Sequence, residues 1–306
     1  MVQYFDEASV RTALSWEPLT AAMEDALAAF STGQVIQPVR NMITIEEGKR
    51  YLGIMPAVAR EAMGLKLVSF YPGNAGTALP THLGIIILSS PDTGEPLAVL
   101  DGRLITEMRT AAVSAAVTKH LASPESRILA LLGSGVQAGA HLEALSRVRR
   151  FTEVRVWSPT PDHAHRFAKE HDVLAMPDVE SAVRDADVIV TATNARQPFL
   201  RGAFLKRGAL VNAVGSPRPT WRELDDEAMT CGTLVVDSRE AVLKESGDVI
   251  LSKATIYAEV GEVFAGRIPK PPPETPVVFK SVGIAVEDIA AARLVCESSA
   301  RSRGDV

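Results

Sequence analysis

This 306-residue chain is poor in several features that would assign it to other protein classes. Its two cysteines, Cys231 and Cys296, are too few for the disulfide framework of a small secreted protein. No apolar run reaches the roughly 18 residues that span a bilayer, and residues 1–7 lack the basic-then-apolar pattern of a signal peptide. We therefore expect a cytoplasmic protein with no membrane partner.

The chain also lacks a large excess of charge of either sign. The chain has 32 basic and 37 acidic residues, which gives a net charge of −5. This balance provides no electrostatic reason for binding nucleic acid or an anionic membrane. The histidines at 163, 165 and 171 do not share one helix face, since their spacing is not i, i+4, and we expect no metal site.

Hydrophobic residues make up 46% of the chain, and its length is typical of two domains. Asp6 and Ser15 are typical helix N-caps, and apolar residues then recur every four positions to about Phe30. Between residues 39 and 100 the period shortens to that of strands, with a hairpin turn at 91–94. An alanine-rich helix is predicted from Arg103 to about Ala122. The first third therefore has an α+β pattern with a largely antiparallel sheet.

From Ser126 onward, short apolar strands alternate with amphipathic helices. Strands are predicted at 128–132, 154–157, 187–192, 210–214, 234–237 and 277–284, and helices at 137–149 and 162–170. Continuous apolar strands between helices indicate a parallel sheet that is covered on both faces. We therefore predict an α/β fold in which a Rossmann, doubly wound parallel sheet accompanies the α+β domain.

A glycine-rich motif follows the first of these strands. Residues 133–138 read Gly-Ser-Gly-Val-Gln-Ala, which fits G-x-G-x-x-G/A, and a helix starts near Val136. Gly133 permits the tight turn, and Gly135 lets the backbone approach a pyrophosphate. The free N–H groups at the helix N-terminus, including those of Val136 and Gln137, favour phosphate. The motif predicts a dinucleotide site.

The next strand ends at Trp157-Ser158-Pro159-Thr160. NAD enzymes usually carry Asp or Glu at this point to bind the ribose 2′-hydroxyl. Without that carboxylate a 2′-phosphate meets no repulsion, and Ser158 and Thr160 offer hydroxyl donors. NADP is therefore favoured over NAD, although Pro159 stands where a phosphate-binding arginine would fit.

Ordered motifs over nearly the whole chain resemble those of the ornithine cyclodeaminase/mu-crystallin family. The matching stretches are 38–40, 53–56, 64–66, 79–82, 100–106, 109–112, 133–139, 212–215, 221–225 and 280–283. The resemblance implies a homodimer. It also implies that residues 1–118, joined by a C-terminal helix at 286–306, form the substrate-binding and dimerisation domain, and that residues 119–285 form the Rossmann domain.

The resemblance further implies roles for individual residues. Arg40 and Lys66 are expected to be catalytic and to bind a substrate carboxylate, with Lys66 also able to move a proton near an imine nitrogen. Met55 and Val282 are expected to line the substrate pocket. The expected cofactor contacts beyond the glycine-rich turn are Thr81, His82, Arg109 (suited to pyrophosphate), Thr193, Val214 and Ser281.

One departure from the family pattern narrows the activity. In the cyclodeaminase and alanine dehydrogenase branches, a catalytic Asp follows the strand in a Gly-x-Asp arrangement, whereas this chain has Gly215-Ser216-Pro217. Proline can neither accept a proton nor hold an ammonium group. The loop instead resembles that of the mu-crystallin and ketimine-reductase branch, which has no Asp there. The resemblance therefore implies reduction by NAD(P)H of a cyclic ketimine carboxylate, pyrroline-2-carboxylate or piperideine-2-carboxylate, to the L-amino acid. The alternatives are an amino acid dehydrogenase or cyclodeaminase, and a protein that binds NADPH and a small ligand without turnover.

Overall fold

The alternating apolar residues of the first hundred positions form one sheet. The computed structural model describes residues 2–303; Met1 and residues 304–306, the end of the expected C-terminal helix, lie outside the described residues. The strands are β1 (Gln3–Phe5), β2 (Asn41–Glu46), β3 (Arg50–Val58), β4 (Met63–Phe70), β5 (His82–Ser89) and β6 (Pro96–Asp101). Their order is β1-β6-β5-β4-β3-β2, antiparallel except for the β1–β6 pair.

The last helix covers one face of this sheet. The helices of this part of the chain are α1 (Glu7–Ala13), α2 (Trp16–Ser31), the start of the long α3 (Gly102–Leu121) and α11 (Ala285–Arg303). Helix α11 packs against α2, β3, β4 and β5, and α1 contacts β6. Asp6 caps α1 by accepting a hydrogen bond from the N–H of Ser9 at 2.8 Å. Ser15 is the N-cap residue of α2, but its side chain makes no cap bond there.

The second sheet is parallel throughout. Its order is β13-β12-β14-β11-β10-β7-β8-β9, which is the doubly wound arrangement predicted from the alternating pattern. The strands are β7 (Ile128–Leu132), β8 (Glu153–Trp157), β9 (Leu174–Ala175), β10 (Val188–Thr191), β11 (Leu210–Ala213), β12 (Thr233–Val236), β13 (Ile256–Glu259) and β14 (Val277–Lys280).

Seven helices connect these strands within residues 2–303. They are α4 (Val136–Val148), α5 (Pro161–His171), α6 (Val179–Val183), α7 (Asp226–Thr230), α8 (Arg239–Glu245), α9 (Gly247–Ser252) and α10 (Val260–Phe264). Pro161 occupies the first turn of α5, with Thr160 as the N-cap residue. Asp162 lies inside that turn and does not cap the helix.

The chain divides into two compact units, Met1–Arg109 with Ile284–Val306, and Thr110–Gly283. The first boundary lies within α3, before the expected position after residue 118. The reason is that successive turns of α3 have partners in different units: Arg109 binds carboxylates on α11, whereas Ser114 contacts His141 of α4. No helix in the described part of the chain is long and apolar enough to cross a membrane.

Candidate functional site

The most unusual side chain of the first unit is Lys66, because it lies on the apolar face of the sheet. In the ladder it is paired with Met55 of β3 on one side and with Ile86 of β5 on the other. All three residues are at most 2% exposed. Paired residues of neighbouring strands point to the same face. Lys66 is therefore not a surface charge, and the expected pocket residue Met55 lies directly beside it.

The ammonium group of Lys66 is stabilised by a carboxylate from the far end of the chain. Its Nζ lies 2.7 Å from Oδ2 of Asp288, in the first turn of α11, and 3.4 Å from Oγ1 of Thr106. Burial lowers the pKa of Lys66 to about 8, even though Asp288 opposes this shift; the charges of Arg109 and Arg40 lower it further. Lys66 is thus charged at neutral pH but close to releasing its proton.

Arg109 joins the same group of charges. Its Nη1 donates to Oε2 of Glu287 at 2.6 Å, and its Nε donates to Oδ1 of Asp288 at 3.2 Å. Both carboxylates are fully buried. The structure thus brings Arg109 to Asp288, the carboxylate that also holds Lys66, an association that the sequence did not reveal. Its expected contact with pyrophosphate stays a prediction.

We call Arg40, Lys66, Arg109, Glu287 and Asp288 the charge cluster. Arg40 is half-buried in the segment before β2, and its charge acts on Lys66. The cluster brings three cations and two carboxylates together. Guanidinium groups suit the binding of a carboxylate in particular.

Thr81 and His82 mark the exposed start of β5. Oγ1 of Thr81 lies 3.3 Å from Nδ1 of His82, and the imidazole ring stacks on Phe70 with ring centroids 4.4 Å apart. Stacking and hydrogen bonding together fix the orientation of the His82 ring. Its expected contact with a cofactor stays a prediction.

In the second unit, the glycine-rich turn follows β7 as predicted. Gly133 has φ +123°, and a β-carbon on it would lie 2.6 Å from the carbonyl oxygen of Ala192, so only glycine fits there. Gly135 differs, because its φ of −91° suits any residue and a β-carbon on it would meet no atom within 4 Å. The chain's own packing gives no reason for glycine at position 135, whereas a ligand approaching the backbone does.

The start of α4 completes an anion-binding geometry at this turn. Gly135 is the N-cap residue, and because glycine has no side chain, no side-chain cap bond forms there. Val136 is 60% exposed, and Ala138 is buried against the sheet. The free N–H groups of a 13-residue helix therefore face the open space above Gly135. These features fit a dinucleotide pyrophosphate.

The end of β8 carries hydroxyl groups where many NAD enzymes have a carboxylate. Ser158 is buried, and its Oγ accepts a hydrogen bond of 3.4 Å from the N–H of Thr160, which is exposed. This local bond orders the turn in which a ribose would be recognised. Among the described residues, no group of three or more His, Cys, Asp or Glu is arranged to hold a metal ion.

Thr193, expected on the nicotinamide side, is held by a buried carboxylate. Oε1 of Glu223 accepts from both the backbone N–H and the hydroxyl of Thr193, each at 2.7 Å. Val214 is half-buried at the end of β11, just before Gly215. The sequence motif contained Glu223, but its spacing gave no sign of this role.

Asp237 orders the segment around Ser281 and Val282. Its Oδ2 accepts from the hydroxyl of Ser281 at 2.8 Å and from the N–H groups of Val282 and Gly283 at 2.7 Å each. Val282 is 6% exposed. Sequence reasoning selected the anchored residues but missed Asp237, their anchor.

Known proteins resemble this chain over nearly its whole length. The model of the ornithine cyclodeaminase/mu-crystallin family matches residues 2–303. The chain belongs to this family.

Three relatives illustrate the membership. A mouse (Mus musculus) protein named ketimine reductase mu-crystallin is 50% identical over 287 residues, which cover 92% of this chain and 91% of the relative. The Thermococcus litoralis Δ1-pyrroline-2-carboxylate reductase, solved with NADH and L-proline, has a TM-score of 0.93 and 33% identity, covering 99% of this chain and 98% of that one. An archaeal alanine dehydrogenase dimer with bound NAD has a TM-score of 0.91 and 32% identity, covering 99% and 97%.

The loop that departs from the cyclodeaminase branch of the family is tightly held. Ser216 is fully buried with φ +49°, a left-handed conformation that non-glycine residues rarely adopt. Its Oγ donates to the carbonyl oxygen of Ala195 at 2.7 Å, and its N–H donates to that of Thr193 at 2.9 Å. Pro217 follows at once, so this anchored loop presents no carboxylate at that position.

Proposed function

We propose that this protein uses NAD(P)H to reduce a cyclic ketimine that carries a carboxylate on its C=N carbon, giving a cyclic L-amino acid. Pyrroline-2-carboxylate and piperideine-2-carboxylate are the proposed substrates. The observation that carries the proposal is the buried Lys66, with Asp288, Arg109 and Arg40 around it. Relatives named ketimine reductase and pyrroline-2-carboxylate reductase, which cover nearly the whole chain, support it.

The cluster accounts for recognition of the substrate carboxylate. Arg40 supplies a planar guanidinium that can bind both carboxylate oxygens, and Lys66 supplies a point charge. Glu287 and Asp288 hold Arg109 and Lys66 in place.

Lys66 also fits the movement of a proton. A ketimine becomes a strong hydride acceptor only when its nitrogen is protonated. With a pKa of about 8, Lys66 holds a proton at neutral pH that it can share with an imine nitrogen at low energetic cost. A reducing enzyme of this kind needs no carboxylate base at position 217.

The turn at 133–138 fits the dinucleotide, which supplies the hydride when bound. Gly133 shapes the turn, Gly135 leaves the backbone open, and the N–H groups of Val136 and Gln137 face the pyrophosphate position. Ser158 and Thr160 favour a 2′-phosphate, since Trp157-Ser158-Pro159-Thr160 brings no negative charge. We therefore propose NADP as the preferred cofactor. Thr81, His82, Arg109, Thr193, Val214 and Ser281 remain proposed cofactor contacts, and Val282 a proposed substrate contact.

The exposed face of the six-stranded sheet supports a homodimer. Ile43, Leu83, Ile85 and Leu97 are each 39–43% exposed on the face opposite Lys66, where Tyr4 is 73% exposed. A sheet face this apolar is typical of an interface. Since the archaeal alanine dehydrogenase relative is a dimer, we propose a second copy of this chain as the partner. A cytoplasmic location stays a prediction.

Oxidation of NADPH, followed at 340 nm, tests the proposal. The assay compares pyrroline-2-carboxylate, piperideine-2-carboxylate, and pyruvate with either ammonia or methylamine, each repeated with NADH. Turnover of the cyclic substrates without added amine supports the proposal. Turnover that requires pyruvate and ammonia would instead show an amino acid dehydrogenase, the alternative that the archaeal relative favours. Tight binding of NADPH without turnover on any of them would show a binding protein.

A further inference from the structure

Four charged side chains lie wholly buried in the second unit: Asp237, which holds Ser281, and three others that meet where β10, β11 and β14 end. Glu223, Asp248 and Lys280 are each 0% exposed. We call them the charge triad. Charged groups this deeply buried are rare and are costly unless they are paired. The proposed reaction has so far given the triad no role.

Glu223 holds the turn that follows β10. Its Oε1 accepts from the N–H and hydroxyl of Thr193, and its Oε2 accepts from the hydroxyl of Thr191 at 2.7 Å. The backbone N–H can only donate, and both hydroxyls can donate, which favours the ionised carboxylate. Burial raises the pKa of Glu223, the charge of Lys280 opposes that shift, and Asp248 adds to it.

Lys280 and Asp248 hold the neighbouring loop. Nζ of Lys280 donates to the carbonyl oxygen of Gly215 at 2.7 Å and lies 2.9 Å from Oδ2 of Asp248. Oδ1 of Asp248 accepts from the N–H groups of Glu223 and Leu224 at 2.9 and 3.0 Å. The triad thus contains two carboxylates and one ammonium, and buried Asp237, whose N–H donates to the carbonyl oxygen of Lys280 at 3.3 Å, adds a third carboxylate. This region, which lacks solvent screening, therefore holds more carboxylates than cations.

The triad lies next to the dinucleotide turn. A β-carbon on Gly133 would lie 3.4 Å from Cγ2 of Thr193, and Thr193 is the residue that Glu223 holds. Strand β8 is hydrogen-bonded to one side of β7 and β10 to the other. The residues that would recognise the adenosine ribose follow β8. The nicotinamide end of a bound dinucleotide would therefore lie toward β10 and β11.

Given this placement, we propose that the charge triad stabilises the oxidised form of the nicotinamide ring relative to the reduced form. Transfer of a hydride from the reduced ring to the carbon of the N-protonated imine removes the positive charge of the imine and leaves a positive charge on the nicotinamide ring. A fixed net negative charge that is already in place favours that change without reorganisation. The inference rests on the proposed use of NAD(P).

Equilibrium binding tests this inference without turnover. Dissociation constants for NADP⁺ and NADPH are measured by fluorescence titration at pH 8 for the wild type and for Glu223→Gln. Glutamine keeps the size of the side chain: its oxygen can accept from Thr193, and its amide can donate to Thr191. We expect NADP⁺ to bind about fivefold more weakly and NADPH to bind unchanged, because only the oxidised ring carries the charge.

A matched control separates charge from structure. Thr191→Val removes a hydrogen bond to the same carboxylate but leaves its charge, and we expect the ratio of the two constants to stay at its wild-type value. Lys280→Met removes the cation of the triad, and we expect the ratio to move in the opposite direction. The two triad variants thus test the sign of the effect, and either one is sufficient if the other does not fold.

The outcomes are distinct. If Glu223→Gln weakens both forms of the cofactor equally, or weakens neither, the triad inference is wrong while the proposed function stands. If the wild type binds neither NADP(H) nor NAD(H), the proposed function itself fails. Because the pyrophosphate and adenosine are common to both forms, the ratio of the constants reports only on the ring.

Discussion

Lys66 and Asp288 form an ion pair between the middle of strand β4 and the first turn of the last helix, with Nζ 2.7 Å from Oδ2. Neither side chain is more than 2% exposed. The pair places a mobile proton in an otherwise apolar layer and connects it to Arg109 through the second oxygen of Asp288. Each part of the charge cluster can therefore be tested separately.

Replacing Lys66 tests its chemical role. We expect Lys66→Met to lower kcat/KM for the cyclic ketimine at least 100-fold, because both the proton and a carboxylate contact are lost. The NADPH dissociation constant should stay within twofold of the wild-type value. Steady-state kinetics and fluorescence titration measure the two effects. Unchanged turnover would remove Lys66 from the mechanism.

The pKa of Lys66 predicts a pH dependence. The group is charged below its pKa of about 8 and neutral above it, so kcat/KM should fall as the pH rises through about 8. Arginine stays charged over this range. The residual activity of Lys66→Arg should therefore lack this decline. If the decline persists in Lys66→Arg, it belongs to the substrate imine instead.

The two glycines of the dinucleotide turn should respond differently to substitution. Gly135→Val should keep the thermal stability of the wild type, since φ is compatible and the space is open, but should weaken NADPH binding more than tenfold. Gly133→Val should lower the Tm markedly, because its β-carbon would meet the Ala192 carbonyl. Differential scanning fluorimetry and titration distinguish them. Unimpaired NADPH binding by Gly135→Val would exclude this turn as the pyrophosphate site.

The proposed dimer depends on the exposed sheet face. Ile85→Lys places a charge in the middle of that face, and we expect it to shift the molar mass in light scattering from dimer to monomer. Leu174→Lys is the matched control, since Leu174 is 54% exposed on β9 of the other sheet. A wild-type protein that is monomeric at micromolar concentration would contradict the proposal.

A buried histidine should make stability fall in acid. Nε2 of His141 lies 2.9 Å from Oγ of Ser114, and burial lowers its pKa from 6.5 to about 4. The unfolded chain takes up a proton at a higher pH than the folded chain does. The stability due to neutral His141 is therefore fully present above pH 6.5 and is lost progressively as the pH falls toward 4, by up to about 3 kcal/mol.

Urea unfolding at pH 7 and pH 5 measures this loss. His141→Gln should be less stable than the wild type at pH 7 but should lose less stability on acidification. His163→Gln, at an exposed position, should behave as the wild type does. An equal loss in the wild type and in His141→Gln would assign the acid sensitivity to other groups.

Local signals predicted the nucleotide half of the protein well. The strand at 128–132, the turn at Gly133 and the first-turn proline of α5 were all readable, because each depends on residues adjacent in sequence. Strand β1 was missed, since three residues pair with β6 some ninety positions later. The strands β9 and β13 and the short helices α6–α10 were also missed. Four of these helices begin at N-caps of the predicted type, which are Asp178, Asp225, Ser238 and Ser246.

The candidate site was predicted only in part, for a similar reason. The family resemblance selected Arg40, Lys66 and Arg109. Glu287 and Asp288 stand in the first turn of a helix, where acidic residues are common and usually exposed, so no sequence pattern indicated that they are buried. Which charges meet is decided by tertiary packing between distant segments.

The discontinuity of the first unit has a consequence for biosynthesis. Lys66 leaves the ribosome early, but its carboxylate partner and the helix that covers its sheet are made only at residues 285–303. At about 5–20 residues per second, this interval lasts roughly 10 to 40 s. The nucleotide-binding unit can complete its fold first, and the nascent N-terminal sheet must wait with an apolar face uncovered. During that interval the chain is most in need of a chaperone.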